Sequence, residues 1–230
     1  MKRFTWSLIV IAACVAAVPA RAQQREFLCG FTGFDFTLPA TPQNGIPTPF
    51  LSDGDGYRAV GFVTSFSSLF NGVLLNGAEH TVYLQDALAV FTVFSDNVLQ
   101  VQFAPHARIR IYEDSANNAD YGVNPPSALS PATFTDGTLI LGADVGNLVL
   151  QYDYDSNQGA FIGNATLDEG SDLYLIPPTR RAGWVLSGTA GRPNATIPAG
   201  YVNQLSGEMQ IPGATAARPR TWGNLKALYR

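Results

Sequence analysis

Lysine is missing from residues 23–212, cysteine and histidine are scarce, and after the first 22 positions no apolar run is long enough to cross a bilayer as a helix. Each shortage removes a class of behaviour. The two histidines, His80 and His106, lie far apart in sequence and without the paired spacing of a zinc site, so each reads as a strand-edge residue. Gly-x-Ser-x-Gly, His-Glu-x-x-His and phosphate-loop patterns are all absent. With seven arginines as its only basic residues against all 18 acids, the segment 23–212 carries a formal charge of −11. Such a body repels phosphate backbones, which excludes nucleic acid as a partner and favours cations, although surface acids also serve solubility.

What is present begins with an address. Lys2 and Arg3 precede an apolar run from Leu8 to Val18, and Ala20-Arg21-Ala22 supplies the small-x-small pattern of a processing site. Residues 1–22 therefore read as a signal peptide, with the working chain starting at Gln23 and destined for the periplasm or the extracellular medium. Ile11-Ala12-Ala13-Cys14 offers a lipoprotein alternative, but more apolar residues follow Cys14 instead of a polar spacer. After the cut Cys29 is the lone thiol, no internal disulfide is possible, and an unpaired cysteine of this kind reads as a small buried hydrophobe.

The body is a succession of short segments rich in Val, Phe, Tyr, Thr and Ile. Residues 34–38, 60–66, 81–85, 88–94, 98–103, 108–113, 138–141, 148–154, 160–167, 172–176, 184–187 and 204–211 read as strands, several with strict apolar/polar alternation. Ser95-Asp96-Asn97 and Asp136-Gly137 are tight connections. Nowhere do apolar residues recur at helical spacing for three turns. About ten strands separated by turn signals predict an antiparallel β-sandwich or jelly roll over residues 23–211, with a closed barrel as the lesser alternative. Residues 212–230 differ: a Pro-containing linker, then a basic, aromatic tail in which Thr221 caps a short helix carrying Trp222, Leu225 and Tyr229 on one side.

Oxygen-bearing side chains at alternate positions in Asp153-Tyr154-Asp155-Ser156-Asn157 make Asp153, Asp155 and Asn157 the candidate calcium ligands. The sixth and twelfth places hold Gln158 and Asn164 instead of Gly and Glu, so this is no helix-loop-helix calcium loop, and a hairpin turn explains the same residues. Asp53-Gly54-Asp55-Gly56 reads as a turn with calcium as the alternative, and Glu113, Asp114 and Asp120 as solvated loop charge. For sugar binding, Tyr57, Tyr121 and Tyr201 are the loop aromatics that would make a platform, while Trp184 reads as core. The acids offer many carboxylate pairs for glycoside hydrolysis, a pair that is assembled in space, and nothing in their order singles one out.

Phe134-Thr135-Asp136-Gly137-Thr138-Leu139-Ile140-Leu141 and Gly183-Trp184-Val185-Leu186-Ser187-Gly188 resemble segments of exported all-β proteins of environmental bacteria that carry a short C-terminal sorting tail. The chain departs from the best-known tail type in having no Pro-Glu-Pro box, and the resemblance carries no site residues. The resulting expectation is an exported, non-catalytic β-sandwich in a surface-structural, adhesive or binding role, with calcium as the only candidate cofactor. The partner would be a cell-surface or extracellular polymer, or another copy of the chain. The alternatives are a carbohydrate-binding module and a polysaccharide-active enzyme.

Overall fold

Alternation along β1 (Glu26–Leu38) sets the architecture, because both faces of this strand are covered. Phe31 joins the inner core, whereas Phe34 and Phe36 join a separate aromatic cluster on the opposite side. The computed structural model describes residues 26–38, 51–74, 76–122, 131–192 and 197–211. They form β1, β2 (Gly56–Phe66), β3 (Glu79–Ser95), β4 (Val98–Phe103), β5 (Ala107–Asp114), β6 (Thr138–Asp153), β7 (Gln158–Glu169), β8 (Trp184–Gly191) and β9 (Gln204–Ile211).

All pairings are antiparallel, and apart from β4 and β5, which do not pair with each other, each strand lies beside its neighbours in sequence. The ring closes because β9 pairs with β1, from Glu26 opposite Ile211 to Phe34 opposite Gln204. β4 and β5 occupy one position in that ring. β5 pairs with residues 79–85 of β3 and 138–145 of β6, and β4 pairs with residues 89–95 of β3 and 149–153 of β6. The result is an eight-stranded up-and-down barrel.

This overturns the expected sandwich and jelly roll. The number, spacing and alternation of strands are the same for either architecture, since each needs only one buried face per strand. Pairing between the first and last strands decides the matter, and no local pattern encodes it.

Three irregularities at one level of the wall explain why two long strands read as four. β3 turns at Asp86 (φ 59°), the β4–β5 junction carries Pro105 and His106 (φ 74°), and β6 bulges around Asn147 (φ 51°). A row of such breaks across adjacent strands is how a closed sheet turns a corner. Residues 172–176, expected as a strand, instead include a single 3₁₀ turn at Leu173–Leu175 that packs Leu173, Leu175 and Ile176 on the core. Among the described residues helix is limited to four such three-residue turns, and no helix is long and apolar enough to cross a membrane. The leader, the linker and the expected helix at 221–230 lie outside the described residues.

Inside the barrel, glycine makes room for aromatic rings. Gly188 of β8 and Gly207 of β9 are paired across the strands, and a Cβ on either would come within 2.5 Å of the ring tip of Phe161 or Phe31 respectively. These two rings stack with centroids 6.4 Å apart and, with Leu148, Leu186 and Leu205, fill the middle of the barrel to a residual void of about 20 Å³. Outside, Phe34, Phe36, Phe62, Tyr83, Phe134 and Tyr201 form the second cluster. The hydroxyl of Thr81 donates to the Phe134 carbonyl at 2.7 Å and holds the loop before β6 against the wall.

Gly188→Ala is expected to lower stability by about 1–3 kcal/mol, because its Cβ would also sit 2.3 Å from the Ser206 carbonyl, which is backbone and cannot swing away. Ile162→Thr, at a side chain 55% exposed on the outer wall, should stay within about 0.5 kcal/mol of the parent. Urea midpoints measure both, and equal losses would contradict the packing described.

Candidate functional site

One end of the barrel is polar where the middle is apolar, and the change begins on β1. Gly33 is followed on the same face by Asp35, which is only 1% exposed. A buried carboxylate requires donors. Asp35 Oδ1 accepts the Asn203 backbone N–H at 2.7 Å, and Oδ2 accepts the Tyr57 hydroxyl at 3.0 Å and the Asn203 side-chain amide at 3.0 Å. The main chain repeats the connection: Asp35 N–H donates to the Asn203 carbonyl at 3.0 Å and Val202 N–H to the Asp35 carbonyl at 2.8 Å. The segment before β9 is thus laced to β1 beyond the last ladder pair.

Burial pushes the Asp35 carboxyl up to about 6, against the hydrogen bonds from Asn203 and Tyr57 and the positive charge of Arg192. Burial, then the neighbouring Asp35, raises the Tyr57 hydroxyl well above the usual phenol range. Asp35 can therefore hold or release a proton in the mildly acidic range, whereas Tyr57 stays a donor.

Next to this network a cavity of about 220 Å³ opens at the mouth. Leu51, Leu99, Leu150 and Val202 give it an apolar side, and Tyr152, Tyr154, Asn157 and Arg192 a polar one. Tyr57 and Leu150 line both this cavity and the packed interior below it. Tyr152 is 4% exposed, and its buried hydroxyl has no hydrogen-bond partner among the described residues. Its ring lies against Tyr154 (centroids 5.0 Å apart), and Tyr154 meets Phe94 at 5.8 Å. Arg192 is anchored by its Nε, which donates to the Val202 carbonyl at 2.7 Å, and by its backbone N–H on the Asn157 carbonyl at 3.1 Å.

The residues expected to bind calcium sit on the rim. Asp153 Oδ1 accepts the Asp155 N–H at 2.9 Å and the Ser156 N–H at 3.4 Å, and Oδ2 accepts the Ser156 hydroxyl at 3.0 Å. These bonds, the one from Asp155 foremost, hold its carboxyl below the usual range. Asp155 Oδ1 accepts the side-chain amide of Asn97 at 2.9 Å, and Asn157 takes φ 54° to close the turn and lines the cavity. Among the described residues no group of three or more His, Cys, Asp or Glu side chains is placed to hold a metal.

The other acids are dispersed. Asp55 Oδ2 accepts the Ser52 N–H at 2.8 Å, Glu113 meets His80 Nε2 at 2.9 Å, Asp114 accepts the Ala116 N–H at 2.9 Å, and Asp120 accepts the Gly122 N–H at 3.0 Å. His106 Nδ1 lies 2.7 Å from Asp144. Cys29 is buried, which pushes its thiol up to about 12 and leaves it unreactive. Trp184, Tyr57 and Tyr201 are buried, and Tyr121 is packed against Phe34, Phe62 and Phe134, so these four rings do not form an exposed platform.

Sequence reading assigned no function to Asp35, Tyr152, Arg192 or Asn203. Asp35 sits in an alternating strand where polar residues normally face water, and its inward direction follows only from barrel closure. The available signal was Asp35 flanked by Phe34 and Phe36, an acid held between two residues that both demand burial. Comparison with protein-family models, curated proteins and solved structures returned no match.

The raised Asp35 value has a definite sign for stability. The folded chain keeps this proton up to about pH 6, whereas an unfolded chain loses it near the ordinary 3.8. Between those values the folded state binds more protons, so the group's contribution weakens folding as pH rises through that window and is constant above it. Relative to wild type, Asp35→Asn should gain on the order of 3 kcal/mol between pH 4 and pH 7. Urea titrations of both proteins across that range measure the difference, and parallel curves would show that Asp35 titrates normally.

Proposed function

We propose that this chain is an exported, non-catalytic β-barrel that binds a small molecule in its mouth, in the periplasm or outside the cell. Export is supported by the charged, apolar and small-residue succession over residues 1–22. Binding is supported chiefly by the Tyr152 hydroxyl, a buried polar group without a partner among the described residues, beside a cavity of about 220 Å³. Such a group costs roughly 1–3 kcal/mol when it stays unsatisfied, a cost that an occupant bonded to it removes. An eight-stranded barrel has room for side chains or one small ligand, and its mouth is a common place for a site.

A binding role suits the chemistry better than a catalytic one. Both oxygens of Asp35 are already engaged by Tyr57 and Asn203, so the carboxyl is committed to holding the mouth together.

The test needs no knowledge of the ligand. A panel of neutral, anionic and cationic fragments is added to the isotopically labelled protein and amide shifts are followed by NMR. Responses are expected to converge on residues 35, 57, 99, 152 and 203. Shifts confined to the outer wall, or absent for the whole panel, would end the reading.

A further inference from the structure

We infer that the occupant of the mouth is a small organic acid, its anionic group held by Arg192 and Tyr152 and its apolar part resting on Leu51, Leu99 and Leu150. The inference rests on the mouth being a binding site and adds the chemistry of what it takes. It follows from which hydrogen-bonding groups around the cavity are engaged and which are not.

The acceptor side of the site is largely occupied. Asp35 receives three hydrogen bonds at 2.7, 3.0 and 3.0 Å, two of them on Oδ2, and is almost fully enclosed. A carboxylate in that state has little left to offer an ammonium or hydroxyl donor. The donor side is open. Arg192 uses Nε on the Val202 carbonyl, and no carboxylate among the described residues pairs with its terminal nitrogens. The guanidinium fork is the side-chain geometry best matched to an oxyanion. The Tyr152 hydroxyl supplies a further donor from the buried side. Leu51, Leu99 and Leu150 then favour an apolar body over a fully hydrated ion such as phosphate.

Asp35 couples this occupant to pH. The titratable groups that interact with it are Tyr57 from β2, Tyr152 from β6, Tyr154 from the turn after β6, and Arg192 after β8. Of these only Arg192 is charged near neutrality, and it favours the ionised carboxyl. An anion seated on Arg192 neutralises that support and adds repulsion, so binding draws a proton onto Asp35 and is tighter on the acid side. A cationic ligand would show the opposite dependence.

Hexanesulfonate, which stays anionic throughout, and hexylamine, which stays cationic, are titrated calorimetrically into the full processed chain at pH 5 and pH 7. Hexanesulfonate is expected to bind one per chain, roughly fivefold tighter at pH 5 if binding raises the Asp35 value by one unit. Arg192→Gln and Tyr152→Phe should each weaken it at least tenfold while both variants stay folded, Tyr152→Phe melting no lower than the parent because it removes an unsatisfied buried hydroxyl, and Asp35→Asn should remove the pH dependence. Should Asp35→Asn fail to fold, proton uptake by the wild type, read from binding heats in buffers of different ionisation enthalpy, gives the same answer. Hexylamine binding in place of the sulfonate overturns the acid assignment and leaves the mouth as a site. Sulfonate binding indifferent to Arg192→Gln and Tyr152→Phe overturns the acid assignment at this location, as does no binding of either probe. The fragment experiment then decides separately whether the mouth binds anything.

Discussion

The pairing of β9 with β1 is the contact on which everything else depends. It joins the two ends of a meander, and in doing so converts a sheet with two unpaired edges into a wall with none. Closure also fixes which way each residue points. Once the ring is shut, Phe31, Phe161, Trp184 and Leu205 must share one enclosed space, and the Gly188–Gly207 pair becomes necessary because a methyl group there would occupy the place of a ring. Without closure those glycines would only weaken their strands.

Closure also explains the buried carboxylate. An acid on the inner face cannot reach bulk solvent sideways, so it must be paired from within, and the pairing found here uses the chain just before β9. Asp35 binds Asn203 through both side chain and backbone, which extends the β1–β9 contact past the ladder and fixes the height of the wall at the mouth. The same residue therefore does two things at different levels: it finishes the closure and it places a titratable carboxyl beside the cavity. A buried acid of this kind is expensive to ionise, and its hydrogen bonds offset only part of that, which is why burial outweighs three donors and a nearby arginine in setting its proton affinity.

Much of the wall was legible in the sequence because alternation reports burial directly. β4 and β5 coincide with the expected segments to within a residue at each end, and Arg108 and Arg110 face outward as their spacing implies, meeting Asp168 and Glu169 on β7. What stayed hidden was what alternation cannot carry. The period of two in Phe34-Asp35-Phe36 is identical whether the acid faces water or an enclosed mouth, and only a partner 168 positions away distinguishes them. The break at Asp86 looked like the end of a strand because a bend in a continuous strand and a turn between two strands use the same residues. Residues 172–176 resembled a strand for a related reason: Leu173, Leu175 and Ile176 are apolar because they cover the barrel, and covering needs no extended backbone.

The rim of the mouth follows from two turns acting together. The β3–β4 turn takes left-handed conformations at Asp96 and Asn97, and the β6–β7 turn does so at Asn157, so both strand pairs reverse tightly and project side by side. Asn97 donates from the first turn to Asp155 in the second, the Asn97 carbonyl receives the Tyr154 N–H at 2.9 Å, and Phe94 packs on Tyr154, which in turn packs on Tyr152. That chain of contacts runs from an exposed phenylalanine to the buried hydroxyl in the cavity. The acids that drew attention in the sequence order this rim: Asp153 binds its own turn and Asp155 binds the neighbouring one. Their carboxylates determine where Tyr154 and Asn157 stand, and through those two residues they shape the polar side of the cavity.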